Sequence, residues 1–193
     1  MASTSRTNRM RRADTAVASA ARKVIVYVAT SADGFIARPD GDVGWLDRPM
    51  PKGEYGMPEF YRSVDTILYG RKTYDFGVSY GQPFDAKKRN IVFSRSRPEN
   101  PAPHTEFTSE APGDVVATLR TDGGSNIWVM GGAEIIGALI DAGQVDELIV
   151  HVIPVLIGEG IPLASPARRE SQLTLVSTEA HPDGVVRLHY AFH

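Results

Sequence analysis

Ile67-Leu68-Tyr69-Gly70-Arg71-Lys72-Thr73 decides the reading of this 193-residue chain. Three apolar residues make a strand, Gly70 ends it, and the residues after it open a helix. The same pattern recurs in Ile127-Trp128-Val129-Met130-Gly131-Gly132-Ala133. A strand that ends in glycine and feeds a helix leaves backbone N–H groups and the positive helix end free to meet a ligand. Two such junctions, one of them with Arg71 and Lys72 built in and Thr73 offering a hydroxyl, point to a phosphate-bearing nucleotide. An ordinary tight turn also favours glycine, so either junction alone reads equally as a plain helix start. Glu134 suits the dipole of the second helix but would repel a phosphate placed directly on it. Ser94 and Arg95 end a further strand, at the edge where ligands of open α/β sheets collect. The sequence has no G-x-G-x-x-G run, so the fingerprint of a Rossmann dinucleotide site is missing.

Working outward, Val24 to Ala29 is almost continuously apolar and β-branched, as in a strand covered on both faces. Ser31-Ala32-Asp33-Gly34 turns the chain, and residues 38–53 form a loop rich in Gly, Pro and Asp around Trp45. The pattern predicts a short helix over Pro58–Val64 and strands at Ile67–Tyr69, Asn90–Ser94 and Thr105–Thr108. Asp114 can cap a helix running to Arg120. After the second glycine junction, Ile135, Ile136, Leu139 and Ile140 share one helix face, and Gly143 suits the position past its end. Val145–Ile153 makes another strand. Leu173–Ala180 and Val185–Phe192 flank Pro182-Asp183-Gly184, a hairpin signal. Val186, Leu188, Tyr190 and Phe192 recur at period two, which predicts one buried face in the last strand. The tally is about eight strands and four helices: a single α/β domain with a mostly parallel sheet and a C-terminal antiparallel hairpin.

Composition narrows the chemistry. The sequence has no cysteine, which excludes disulfides, thiolate metal sites and cysteine nucleophiles, and fits a cytoplasmic setting. No apolar run approaches the ~20 residues of a membrane span. Residues 1–23 hold six basic side chains against one acid, so the net charge of −2 hides a body near −7. An acidic body argues against nucleic acid as partner, and the tail lacks the apolar core of a secretory signal. Residues 1–22 read as a disordered basic extension and 23–193 as the domain.

For acid–base chemistry the candidates are Asp33, Glu54 and Glu59. Asp33 ends the first central strand, a good place for a catalytic carboxylate, although Asp-Gly is also a common turn. His151, alternating within a strand, reads as structural. The remaining histidines show no metal-ligand spacing, and no G-x-S-x-G elbow is present. A metal-free cofactor enzyme is what remains.

These residues resemble a known superfamily. Asp65 to Tyr74, followed by Asn90 to Arg95, is similar to the corresponding run in dihydrofolate reductases. Ile127 to Glu134, then Val145-Asp146-Glu147-Leu148, Pro154 and Gly158 to Leu163, resembles the reductase domain of bifunctional riboflavin-biosynthesis deaminase-reductases. Ser31 to Ala37 with Asp40, Gly41, Trp45 and Leu46 is similar to the stand-alone bacterial members. The resemblance runs over residues 23–193 and implies an eight-stranded reductase fold with NADPH across the carboxyl edge of the sheet. It assigns Gly70, Arg71, Lys72 and Thr73 to the cofactor loop, Ser94 and Arg95 to the adenosine 2′-phosphate, and Gly131, Gly132 and Ala133 to the pyrophosphate turn. The implied reaction reduces the sugar of a ribosylaminopyrimidine phosphate, with Asp33 in the substrate site. Folate or pterin reduction, and a nucleotide-binding module without turnover, are the alternatives. The acid that dihydrofolate reductases carry in the first helix falls here near Gly56 or Met57, neither of which can serve. The zinc deaminase half of the bifunctional enzymes needs cysteines and has no counterpart. The resemblance also implies a homodimer.

Overall fold

The computed structural model describes residues 22–49, 51, 53–165 and 170–193. Apart from Arg22, the basic extension expected over residues 1–22 lies outside the described residues.

Six strands run parallel: β1 (Val24–Ser31), β3 (Val64–Gly70), β4 (Arg89–Phe93), β5 (Thr105–Thr108), β6 (Asn126–Gly131) and β7 (Glu147–Ile153). The hairpin of β9 (Leu173–Ala180) and β10 (Val186–Phe192) joins antiparallel through β10 against β7. The eight strands lie in the order β5-β4-β3-β6-β1-β7-β10-β9. Two short strands that the sequence pattern did not announce, β2 (Phe35–Ala37) and β8 (Ile161–Pro162), pair beside this sheet.

Strand β6 enters late and lies between β1 and β3, so the winding direction changes at the centre of the sheet. In open α/β sheets the crevice outside the carboxyl ends of such strands is where ligands sit.

Alternation along the central strands sends side chains into two cores. Val24, Val26, Leu68, Ile127 and Val129 meet α3 (Pro112–Thr121) and α4 (Ala133–Asp141) through Val116, Leu119, Ile136 and Leu139. On the opposite face Ile25, Tyr27, Ile67, Tyr69 and Trp128 meet α1 (Met57–Ser63) and α2 (Arg71–Ser79) through Phe60 and Tyr74. Truncating a fully buried residue of this kind, such as Leu139, costs about 2–5 kcal/mol.

Three local expectations need correction. Asp114 does not cap α3: the helix starts at Pro112 after Ala111, and Asp114 sits inside its first turn against the positive helix end. The last strand has no fully buried face: β10 is half-buried throughout, with only Tyr190 and Phe192 of the four expected residues packed against the core, and β9 is exposed throughout. The helices pack over β3, β4 and β6 in the middle of the sheet, and the hairpin projects past them. Finally, Arg22 belongs to the domain. Its guanidinium donates to the carbonyls of Leu119 (2.9 Å) and Gly123 (2.8 Å) and to Thr66 Oγ1 (2.6 Å), and pairs with Asp65.

Candidate active site

The two glycine junctions, about sixty residues apart in sequence, are neighbours in space. Strands β3 and β6 pair in parallel with Tyr69 opposite Gly131. A Cβ on Gly70 would come within 3.1 Å of the Gly132 backbone nitrogen, and one on Gly132 within 3.4 Å of Thr73 Oγ1. Gly131 has φ of 121°, and its bond to Gly132 is cis. The φ of Gly131 is one that side chains rarely adopt, and a Cβ at Gly70 would crowd the Gly132 amide. Neither α2 nor α4 is capped by a side chain, so both helix starts present free amides to the same crevice.

Side chains extend this edge towards β4. The Arg71 guanidinium is held by both Asp75 carboxylate oxygens (2.9 Å), the Ser96 carbonyl (3.0 Å) and Ser94 Oγ (3.3 Å). It is thereby fixed against the end of β4. Lys72 and Arg95 are exposed beside it. All nine cofactor residues suggested by sequence except Gly131 line one cavity of about 1500 Å³. Gly131 is buried behind them.

The cavity continues under β1 and β7 to a second region that the sequence did not reveal. Its floor is Tyr27, Trp128 and His151, and its wall is the loop carrying Val43, Leu46, Arg48 and Tyr55. Tyr27 stacks on Phe60 with centroids 4.1 Å apart, and the Trp128 indole N–H donates to the Tyr27 carbonyl at 3.0 Å. His151 Nε2 lies 3.4 Å from the Tyr27 hydroxyl, which is 3.3 Å from the Tyr55 carbonyl. Burial pushes the Tyr27 phenol up to about 12 and the His151 imidazole down to about 4, so both stay neutral at ordinary pH. Tyr55 holds a left-handed conformation with φ of 55° and stands between this cavity and a smaller one of about 580 Å³. Its hydroxyl donates to the Asp183 carboxylate at the β9–β10 turn, and Arg48 donates to the Asp183 carbonyl at 2.8 Å. The Tyr55 hydroxyl holds the Asp183 carboxyl below the usual carboxylate range.

The acids named from sequence lie elsewhere. Asp33 is exposed and outside the lining of the large cavity; its carboxylate accepts from the amides of Ile157 (3.2 Å) and Gly158 (2.7 Å). A hydrogen bond from Ser31 and these amides keep its carboxyl low, the setting of a charge that pins a loop. Glu59 is paired with Arg62 at 2.8 Å on the outside of α1, and the Glu54 side chain lies outside the described residues. What could have signalled the second region is a polar residue inside an apolar run: His151 in Leu148-Ile149-Val150-His151-Val152-Ile153. Among the described residues no three His, Asp or Glu cluster as a metal site, and no helix is long and apolar enough to cross a membrane.

Comparison with known proteins agrees with this architecture. The chain is 37% identical over 170 residues to YwjB of Bacillus subtilis (strain 168), covering 88% of this chain and 97% of that protein. It is 33% identical over 183 residues to YyaP of the same organism, with 88% and 94% covered. Both relatives are uncharacterized. A Shewanella sp. PV-4 protein assigned by name to riboflavin biosynthesis superposes with a TM-score of 0.79 at 26% identity, over 89% of this chain and 99% of that one. The Thermotoga maritima diaminohydroxyphosphoribosylaminopyrimidine deaminase/5-amino-6-(5-phosphoribosylamino)uracil reductase shares the fold, with a TM-score of 0.66 at 19% identity over 89% and 57% of the two chains. Residues 22–187 match the model of the RibD C-terminal domain. The chain belongs to the RibD C-terminal domain family, with an eight-stranded, riboflavin-reductase-like fold.

Proposed function

We propose that the protein is an NADPH-dependent reductase acting on a ribosylaminopyrimidine phosphate, delivering hydride to the ribose C1. The observation that carries this reading is the meeting of the two glycine junctions at the mouth of one cavity deep enough for cofactor and substrate together. The residues present fit the cofactor: a Cβ at Gly70 would fill its cradle, and two uncapped helix starts face it. Gly70, Thr73, Gly132 and Ala133 would receive the pyrophosphate on backbone amides. Arg71, Ser94 and Arg95 would take the 2′-phosphate, with Arg71 already oriented by Asp75. The nicotinamide supplies the hydride; the chain binds, orients and excludes water.

In the substrate half, Arg48 is the one cation lining the wall among the described residues, and it would meet the substrate's phosphate. The exposed β9 edge, with Leu175 and Val176 about half exposed, is the surface on which a second copy would sit in a homodimer.

The test is a titration with NADPH and NADH followed by nicotinamide fluorescence, then NADPH oxidation with the ribosylaminopyrimidine phosphate and with dihydrofolate. Saturable, NADPH-selective binding with turnover of the former is the expected result. Turnover of dihydrofolate alone would replace the substrate, and binding of neither cofactor would overturn the reading.

A further inference from the structure

His151 has no role in the cofactor cradle, yet it is 4% exposed and its ring lines the substrate half of the cavity. A buried imidazole must be hydrogen-bonded or bear the cost of desolvation. Its contact with the Tyr27 hydroxyl is 3.4 Å, and that hydroxyl's contact with the Tyr55 carbonyl is 3.3 Å. Both are longer than the ~2.7–3.0 Å of well-formed bonds, and the backbone of Tyr55 and Val28 adds hydrogen bonds to the imidazole, so the capacity left for a ligand lies chiefly on the Tyr27 hydroxyl and on the Nε2 beside it. The surroundings hold the pair in place. Tyr27 is wedged between Phe60 and Trp128, and the Tyr55 and His181 rings close the far side of His151, 4.9 Å apart from each other.

Two neutral groups, each able to donate or accept, stand side by side on β1 and β7 at the floor of an aromatic pocket. A flat heterocycle whose edge presents adjacent N–H and C=O groups matches that pattern and the aromatic walls together; an isolated carbonyl uses only half of it, and a sugar hydroxyl has no flat face for the rings. Building on the reductase reading, we propose that His151 and Tyr27 are the residues that select the substrate's ring, by taking the N–H/C=O edge of a pyrimidinedione. Neutrality matters here, because an imidazolium would offer two donors and no acceptor, and the match would be lost.

The test uses two probes that carry neither sugar nor phosphate: 5,6-diaminouracil and its 1,3-dimethyl derivative, in which both ring N–H groups are blocked. Each is titrated calorimetrically into the protein saturated with NADP⁺. Wild type is expected to bind the unmethylated probe about tenfold more tightly than the dimethyl one, the worth of one good hydrogen bond. His151→Phe should lose that discrimination, His151→Gln should recover most of it, and Tyr27→Phe should reduce it. NADP⁺ affinity should be the same in all four proteins, which separates ring selection from a folding defect. Failure of wild type to bind the unmethylated probe, equal affinity for the two probes, or discrimination retained by His151→Phe would each overturn the proposal. Discrimination without any NADPH oxidation on the ribosyl phosphate would instead remove the reductase reading and leave ring selection standing.

Discussion

The two ends of the cavity are built by opposite means. The proposed cofactor edge is chiefly main chain: two continuous stretches, 69–73 and 130–133, whose glycines and helix starts make the surface, with Arg71, Ser94 and Arg95 added at its β4 end. The proposed substrate end is side chain: Tyr27, Arg48, Tyr55, Trp128 and His151 come from three strands and one loop, and the strands bring them together. Phosphates are recognised by amides and dipoles that any sequence can supply, so what such a site demands is glycine at fixed places. A ring edge is recognised by particular side chains, which can be exchanged one at a time while the sheet stays the same.

That contrast can be broken at several places. The largest effect is expected from Gly70→Val, which forces side-chain carbons against the Gly132 backbone nitrogen. Fluorescence titration should show no measurable NADPH binding, while 5,6-diaminouracil still binds. Loss of both would mean that the two ends do not act separately.

Next comes pH. The folded chain keeps His151 neutral down to about 4, against an ordinary value of 6.5. Between those values the unfolded chain takes up a proton that the folded chain refuses, so stability falls as pH drops through this window, by at most about 3 kcal/mol. Asp33 and Asp183, whose carboxyls are held low, contribute only above their ordinary value of 3.8 and lose that contribution below it, outside the window. Denaturant melts at pH 7 and 4.5 should therefore converge in His151→Gln. An unchanged gap would show that other groups govern the acid side.

A smaller effect is expected from Asp183→Ala, which frees Arg48 and Tyr55 and so loosens the loop wall. Substrate KM should rise several-fold with NADPH affinity unmoved. A drop in cofactor affinity would tie the hairpin turn to the wrong end of the cavity. The smallest change belongs to Asp33→Asn: a slightly lower Tm and unchanged kcat, since its carboxylate holds the amides of Ile157 and Gly158. A marked fall in kcat would return Asp33 to the reaction.

The same contrast explains what was legible in the sequence. The parallel strands, the two glycine junctions and the helix face of α4 each follow from a local pattern, and each stands where that pattern put it. Asp33 shows the limit: its place at the end of β1 was right, but whether it faced a substrate or a loop depended on residues 157–158, more than a hundred positions away. His151 read as structural, because its partners Tyr27 and Tyr55 lie about a hundred residues or more away in sequence. The buried face expected of β10 failed for a related reason: alternation states which residues share a side, and coverage depends on where the helices run.

The late arrival of β6 bears on how the molecule comes to exist. Strands β1 and β3 are synthesised early but do not touch; the segment that joins them, Asn126–Gly131, leaves the ribosome some sixty residues after β3. Until then both strands expose apolar edges with no hydrogen-bonding partner between them. Closing the sheet is thus a long-range event, and such topologies fold slowly. A nascent chain halted before residue 126 would have no central strand, and the step that completes the sheet also sets Gly131 and Gly132 against Gly70. Closing the sheet and bringing the two glycine junctions together are thus the same step.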